Sequence, residues 1–161
     1  MPLFLNDTDV KTLMSMSDCV GVMEDAFTQA GDGKVWNRPR SRIRMPRGFH
    51  HLMVAYLAGS EVFELKTYTN FRSITRFTTM LYDSNNGDLI TMVQGPRIVP
   101  LRTRDVSGVG TKHMFRENSS TVGVVGAGFQ NRGQLEGVCA VRDIASAKIF
   151  DVSEENSQKS C

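Results

Sequence analysis

Residues 121–151 constrain this chain more than any other stretch. Thr121-Val122-Gly123-Val124-Val125 is a short, almost wholly apolar run, the pattern of a parallel strand covered on both faces. Gly126-Ala127-Gly128 follows at once, then a segment that can be helical through Arg142, then a second short strand over residues 147–150 that delivers Asp151. Gly126 permits a sharp turn out of the strand, and Gly128 lets backbone N–H groups approach a pyrophosphate with no side chain between. The helix that begins there presents its positive end to phosphates. Asp151 stands about 25 residues beyond Gly126, near the ~20 expected of a ribose-binding carboxylate. Such a carboxylate accepts hydrogen bonds from both ribose hydroxyls and repels a 2′-phosphate. Val152, Ser153 and Glu154 bring no cation to reverse this, so the pattern favours NAD over NADP. The competing reading is a glycine turn in some other α/β unit. Asn131 stands where a third Gly or Ala would let helix and strand pack closely.

The rest of the chain must fold around that unit, and 161 residues suffice for one domain plus a fragment of another. Lys and Arg number 19 against 17 Asp and Glu, too balanced to imply nucleic acid or an anionic membrane. Cys19, Cys139 and Cys161 are odd in number and scattered, which suggests neither a disulfide framework nor a zinc site. Reduced thiols in a cytoplasmic protein are the plain reading. The N-terminus lacks the basic region of a signal peptide, and no apolar run approaches the roughly 20 residues of a membrane helix.

The first third reads as helical. Asn6 can cap a short helix with Asp9 at its third position and Val10, Leu13 and Met14 on one face. A second helix is expected from a Ser17 cap to Gly31, with Val20, Met23, Phe27 and Ala30 as its core stripe. From Lys34 to Val93 the pattern turns to strands. Arg38, Arg40, Arg42 and Arg44 alternate at period two, so one extended strand would place all four on one face. Residues 51–57 and 62–69 follow, and then a hairpin of residues 78–83 and 89–93 about Ser84-Asn85-Asn86-Gly87. Short connections imply an antiparallel or mixed sheet. Residues 98–115 read as a helix or helix-like connector.

Several side chains could carry chemistry. The arginine stripe is either a solvated strand face or the source of one guanidinium that forks a substrate carboxylate. Lys66, in Phe-Glu-Leu-Lys-Thr-Tyr-Thr, shares a face with Glu64 and Tyr68; it is either an exposed lysine or a site lysine beside a cofactor. His50 and His51 are neighbours in a strand and point to opposite faces, and His113 stands alone, so no metal site is assigned.

In order and spacing these pieces resemble the ornithine cyclodeaminase/mu-crystallin family over roughly residues 4–152. The resemblance is carried by Pro39-Arg40-Ser41 leading to Met45-Pro46, by residues 51–57, and by Lys66 ending in Tyr68-Thr69-Asn70. It continues through Met80 to Gly87, Leu101-Arg102-Thr103 before Ser107, Lys112-His113-Met114, and Gly126-Ala127-Gly128-Phe129-Gln130. The resemblance implies an α/β protein in two parts. Residues 1–116 would be an α+β substrate and dimerisation domain, and residues 117–161 the first βαβ unit of an incomplete Rossmann domain.

It further implies that Arg40 and Lys66 hold the substrate's carboxylate region and that Arg102 lies between substrate and nicotinamide. Gly126, Gly128, Phe129, Gln130 and Asp151 would hold the pyrophosphate and adenosine ribose of NAD. The implied reaction is conversion of ornithine to proline and ammonia through an internal hydride transfer. An imino-acid or amino-acid dehydrogenase, or a non-catalytic mu-crystallin-like binding protein, is the alternative. A homodimer acting on a small amino acid is expected. The sequence departs from the family at Ile74, where threonine is usual although Ser73 and Thr75 flank it, and at Arg104-Asp105, which replaces a small-residue pair. The family's catalytic aspartate has no counterpart in these residues, so the chain is expected to be a poorly active fragment.

Overall fold

Asn6 opens the first helix as its sequence predicts. Its Oδ1 accepts from the N–H of Thr8 at 2.8 Å, while Asp9 Oδ2 accepts from the N–H of Asn6 at 2.8 Å, a reciprocal capping box. The helix it starts, α1, runs Asp7–Leu13 and buries Val10. The computed structural model describes residues 1–13, 15–72, 74–95 and 98–153, and all their side chains except those at 16, 17, 98–102 and 129. Met14, Ser73 and Glu154 therefore lie outside the described residues.

Helix α2 spans Met16–Gly31. Its cap is Ser15, not the expected Ser17: the Ser15 hydroxyl accepts from the N–H of Asp18 at 3.3 Å, and Asp18 Oδ2 accepts from the N–H of Ser15 at 3.2 Å. The Ser15 hydroxyl also donates to Asp18 Oδ2, and this bond, with the one from the Ser15 N–H, holds the Asp18 carboxyl below its ordinary pKa. The core stripe holds at Val20 and Met23 but fails at Phe27, which is 47% exposed, and at Ala30. Gln29 is buried instead, its amide donating to Asp25 Oδ2 at 2.7 Å and Ser60 Oγ at 3.1 Å. A polar side chain with two partners can be buried where the apolar stripe has turned to solvent.

Chain contacts divide the molecule into two units: residues 1–13 with 25–98, and residues 14–24 with 99–161. The expected boundary at 116/117 does not coincide with this division.

In the first unit, β1 (Leu3–Leu5), β2 (Val35–Asn37), β3 (Ser41–Met45), β4 (Gly48–Leu57), β5 (Val62–Phe71), β6 (Ile74–Asp83) and β7 (Leu89–Gln94) form one seven-stranded sheet. Its order is β1-β7-β6-β5-β4-β2, with β3 also on β4. Only β1 and β7 pair in parallel, so the sheet is mixed. The β4–β5 and β5–β6 ladders run in unbroken register, Gly48 opposite Phe71 through Leu57 opposite Val62 and Val62 opposite Asp83 through Phe71 opposite Ile74. The Ser84–Gly87 hairpin forms as read: Asp83 Oδ1 accepts from the N–H of Asn85 at 2.7 Å, and Gly87 takes φ 79°. The arginine stripe does not form one strand. Arg42 and Arg44 share a face of β3, whereas Arg38 and Arg40 precede it, in the connection from β2.

The second unit contains α3 (Ile98–Met114), β8 (Thr121–Val125), α4 (Phe129–Cys139) and β9 (Ser146–Phe150). Strands β8 and β9 pair in parallel, Thr121 opposite Ser146 through Val125 opposite Phe150. Helix α4 ends at Cys139, short of the expected Arg142. Arg142 instead turns back on the C-terminal end of α3, donating to the carbonyls of Thr111 at 3.2 Å, Lys112 at 3.0 Å and Phe115 at 3.3 Å. A cation on those carbonyls satisfies acceptors that helix geometry leaves orphaned.

The Arg104-Asp105 pair does not break α3. A side-chain atom at Gly133 would collide with the Arg104 side chain, and one at Gly137 would collide with the Arg104 carbonyl. The two glycines on α4 thus make the room that small residues on α3 would otherwise make. Arg104 Nη1 then reaches Glu136 Oε2 at 2.7 Å. Asp105 is 1% exposed and hydrogen-bonded by the Cys19 thiol; burial pushes its carboxyl up to about 6.

Candidate functional site: a glycine turn and a basic sheet face

Strand β8 delivers the chain to Gly126, which takes φ 93° and donates its N–H to the Phe150 carbonyl at 2.6 Å. That φ is strained for any residue with a side chain. Asp151, immediately after β9, faces this turn: its Oδ2 accepts from the N–H of Ala127 at 2.6 Å and its Oδ1 from the N–H of Ser153 at 2.8 Å. Gly128 caps α4 with no side-chain hydrogen bond of its own, and a Cβ built on it meets nothing within 4 Å. The start of α4 therefore faces open space, with the carboxylate of Asp151 fixed to the turn beside it. Phe129 and Gln130 are the first two residues of α4; Gln130 is exposed, and the Phe129 side chain lies outside the described residues.

Asn131 occupies the place of a third glycine and does a different job. Its amide donates to the carbonyls of Val125 at 2.8 Å and Gly126 at 2.9 Å, tying α4 to the end of β8. A Cβ at Gly126 would lie 2.8 Å from that amide, so glycine at 126 and asparagine at 131 form one fitted pair. Nothing in the spacing alone foretold that role.

The second candidate lies in the first unit. Across the sheet, Arg42, His51, Tyr68 and Phe77 form one row, and Met53, Lys66, Thr79 and Val93 the next on the same face. Lys66 is 5% exposed, so it is not the solvated lysine that its charge alone would suggest. Its Nζ lies 5.5 Å from the centroid of the Phe77 ring. Arg40 Nη1 donates to the Tyr68 hydroxyl at 2.8 Å, which brings that guanidinium to the face that carries Lys66. Arg42 lies over the Phe49 ring at 5.4 Å. Tyr68 in turn stacks on His51, centroids 4.3 Å apart and planes 8° from parallel.

His51 was not singled out by its sequence, and it is buried at 5% exposure. Burial, then the charges of Arg42, Arg40 and His50, hold its imidazole below the ordinary pKa. The expected opposition of the two histidines is seen: His50 points to the other face, where its Nε2 lies 2.5 Å from Thr67 Oγ1. His113 pairs with Glu24, as does Lys112, and the two together hold that carboxyl below its usual range. Arg102 lies in the first turns of α3, and its side chain lies outside the described residues. Among the described residues, no group of His, Cys, Asp or Glu could hold a metal ion, and no helix is long and apolar enough to cross a membrane.

A parallel strand–turn–helix–strand with a carboxylate on the glycine turn defines a dinucleotide-type unit. The chain belongs to the ornithine cyclodeaminase/mu-crystallin family, whose sequence model it matches over residues 1–161. Alanine dehydrogenase of Archaeoglobus fulgidus is 27% identical over 98% of this chain and 50% of its own length. A Δ1-pyrroline-2-carboxylate reductase of Bacillus cereus is 37% identical over 48% of this chain and 24% of its own. Among solved structures, the Thermococcus litoralis Δ1-pyrroline-2-carboxylate reductase, in complex with NADH and L-proline, superposes with a TM-score of 0.85 at 31% identity. The match covers 98% of this chain and 52% of that one. An archaeal alanine dehydrogenase dimer with bound NAD superposes with a TM-score of 0.89 at 26% identity, over 99% of this chain and 51% of that one. Where the match runs along nearly the whole chain, the chain spans about half the length of the relative.

Proposed function

We propose that this chain carries the substrate-binding part and the opening NAD-binding unit of an enzyme that oxidises an amino acid or reduces an imino acid. The observation that carries the reading is the Asp151 carboxylate, bonded at 2.6 Å to the N–H of Ala127 at the carboxyl end of the second parallel strand. NAD, when bound, supplies the hydride acceptor or donor. The chain's own part is to bind and orient. Gly126 and Gly128 bring main-chain N–H groups to the pyrophosphate, with Phe129 and Gln130 opening the helix whose positive end faces it. The Asp151 carboxylate, fixed beside the glycine turn, is the group proposed to accept from the ribose hydroxyls. NAD fits this arrangement better than NADP, since a 2′-phosphate beside Asp151 would be repelled.

Arg40 and Lys66 take the substrate's carboxylate, a fork and a point charge on one sheet face. Arg102 is assigned to substrate and nicotinamide by family resemblance alone. The choice of reaction within the family favours a reductase or dehydrogenase, because the relatives cited above are pyrroline-carboxylate reductases and alanine dehydrogenases. Ornithine cyclodeaminase activity is the second reading, supported by the family resemblance. A second copy of the chain is the proposed cover for the opposite sheet face, where Trp36, Ile43 and Leu52 are exposed. A cytoplasmic location accords with the scattered thiols.

NADH titrated into the 161-residue chain, and into Asp151→Ala, tests the cofactor site by calorimetry. Binding that falls at least ~10-fold in the variant is expected, from the loss of charge-assisted hydrogen bonds. Equal affinity in both proteins would remove Asp151 from the site, and no binding by either would remove the cofactor reading for this chain.

A further inference from the structure

Arg42 has a setting that the carboxylate clamp leaves unexplained. It stands directly opposite His51 on the sheet, and its guanidinium lies over the Phe49 ring at 5.4 Å. The Phe49 and His51 rings are 6.1 Å apart, so guanidinium, phenyl and imidazole form one cluster. Arg40, bonded to the hydroxyl of the Tyr68 that stacks on His51, brings a second guanidinium to the same ring. Both charges act on the imidazole. Neither arginine has a carboxylate partner among the described residues. The ring itself is buried at 5% exposure, and its Nδ1 has no hydrogen-bond partner among the described residues. Two cations without an acid, beside a buried ring nitrogen without a partner, make a seat for an anion. A carboxylate there would relieve the repulsion and meet the nitrogen, which is costly to leave unmatched.

The acids of this face stand to the other side of the clamp. Glu64 is the next residue beyond Lys66 on the same face of β5, about 13 Å along the strand from Tyr68. The Asp7 carboxylate lies against Gly95, whose N–H donates to the Phe77 carbonyl. Gly95 follows β7, four strands across from Arg42 on β3, which is roughly 19 Å at the usual strand spacing. The face is therefore polarised, with its two acids toward β5 and β7 and its arginines toward β3. A ligand held at Arg40 and Lys66 meets Arg42 and His51 with whatever part of it extends toward β3.

We propose that Arg42 and His51 form a second anion seat beside the clamp, and that the substrate is a dicarboxylic α-amino or α-imino acid. The inference rests on the amino-acid reading above and names its substrate class. The Arg40–Lys66 clamp holds the α-carboxylate. The second carboxylate accepts from the His51 Nδ1–H and from the Arg42 guanidinium, which makes the latter bond charge-assisted. Arg42 is exposed on an edge strand, so it is free to leave the Phe49 ring and open the imidazole to that carboxylate. The clamp serves any amino acid, ornithine included; the seat is what selects the tail.

L-aspartate and L-glutamate suit the test beside their amides, L-asparagine and L-glutamine, which keep the α-carboxylate and α-amine and lose only the tail charge. Each is titrated into the 161-residue chain and into Arg42→Gln while the His51 ring nitrogens are followed by NMR. L-alanine, titrated alongside, reports on the clamp alone, and L-ornithine on a tail of opposite charge. One of the two acids should bind at least ~10-fold more tightly than its amide and than ornithine, and should shift the His51 resonances. Arg42→Gln should remove that preference and leave alanine binding unchanged. Acid and amide bound alike, with alanine also bound, would overturn the seat and leave the clamp standing, with Arg42 only guarding an open edge. Ornithine bound as well as the acid would overturn the substrate class. A preference for the acid that survives in Arg42→Gln, or that leaves the His51 resonances unmoved, would overturn the two residues assigned to it. If no ligand binds the wild-type chain, the clamp fails and the inference falls with it.

Discussion

The two units solve the same problem, pairing the backbone of a sheet, with unequal completeness. In the first, β4, β5 and β6 each have hydrogen-bonded neighbours on both sides, and β5 is flanked by two ten-residue ladders. In the second, β8 and β9 have only each other among the described residues. Val125 is 80% exposed and Phe150 64%, although both are large apolar residues that close their strands. A two-stranded parallel ribbon is marginal by itself, because each strand leaves a row of N–H and C=O groups open along one edge. The first unit is therefore held by its sheet. The second is held by what surrounds its sheet: α3 against α4, the Asn131 tie, and Arg142 on the end of α3.

Hydrogen exchange gives the largest expected contrast. Amides of β5 have to open with most of the sheet, whereas those on the open edges of β8 and β9 exchange by local fluctuation. Protection in β5 should exceed that of the β8 and β9 edges by at least ~100-fold. Comparable protection would mean that the parallel pair has found a partner edge, as it would in a self-associated chain, and analytical ultracentrifugation of the same sample would decide that.

If helix packing holds the second unit, crowding the α3–α4 crossing should undo it. A Cβ at Gly137 would meet the Arg104 carbonyl carbon at 3.0 Å and the Gly108 nitrogen at 3.4 Å, so backbone would have to move. Gly137→Val should cost about 3 kcal/mol or more in chemical denaturation. Gly133→Ala collides instead with the flexible Arg104 side chain. Its cost should largely vanish in an Arg104→Ala background, while that of Gly137→Val should persist. Rescue of both, or of neither, would show that the crossing is not what glycine spares.

The same contrast governs how far the sequence could be read. Elements with local signals were legible: the Asn6 capping box, the Ser84–Gly87 turn, and the apolar run ending at Gly126 each fix a short stretch of backbone by nearby chemistry. Side chains whose role depends on register were not. Lys66 is an alternation residue in sequence, and its burial follows from ladders set by strands on either side of it. His51 meets Tyr68 through the same pairing, and period-two alternation places a residue on a face without naming its cross-strand neighbour. How the Arg104-Asp105 departure is accommodated is not legible locally, because the compensation, Gly133 and Gly137, lies about 30 residues away on another helix. Phe27 and Ala30 had the right helical spacing for a core, and both are exposed among the described residues.

The smallest expected effect concerns the buried acid of the second unit. Asp105 is 1% exposed, burial raises its carboxyl from 3.8 to about 6, and the Cys19 thiol, itself raised to about 11, stays protonated as its donor. A raised carboxyl pKa means that the folded form holds a proton that the unfolded chain releases. Below 3.8 both states are protonated and Asp105 costs nothing. Between 3.8 and about 6 only the unfolded chain ionises, so stability falls as pH rises through that window and stays low above it. The loss integrates to roughly 2–3 kcal/mol. Asp105→Asn removes the proton but keeps an oxygen to accept from Cys19. Its stability should match the wild type near pH 4 and exceed it at pH 7.5, with the difference opening across the same window. If the two units melt separately, only the transition of the second should move, which denaturation followed by near-ultraviolet signals from Trp36 in the first unit and by exchange in β8 and α4 would separate. Parallel pH profiles for the two proteins would place the Asp105 titration outside that range and assign the second unit's weakness to its open sheet alone.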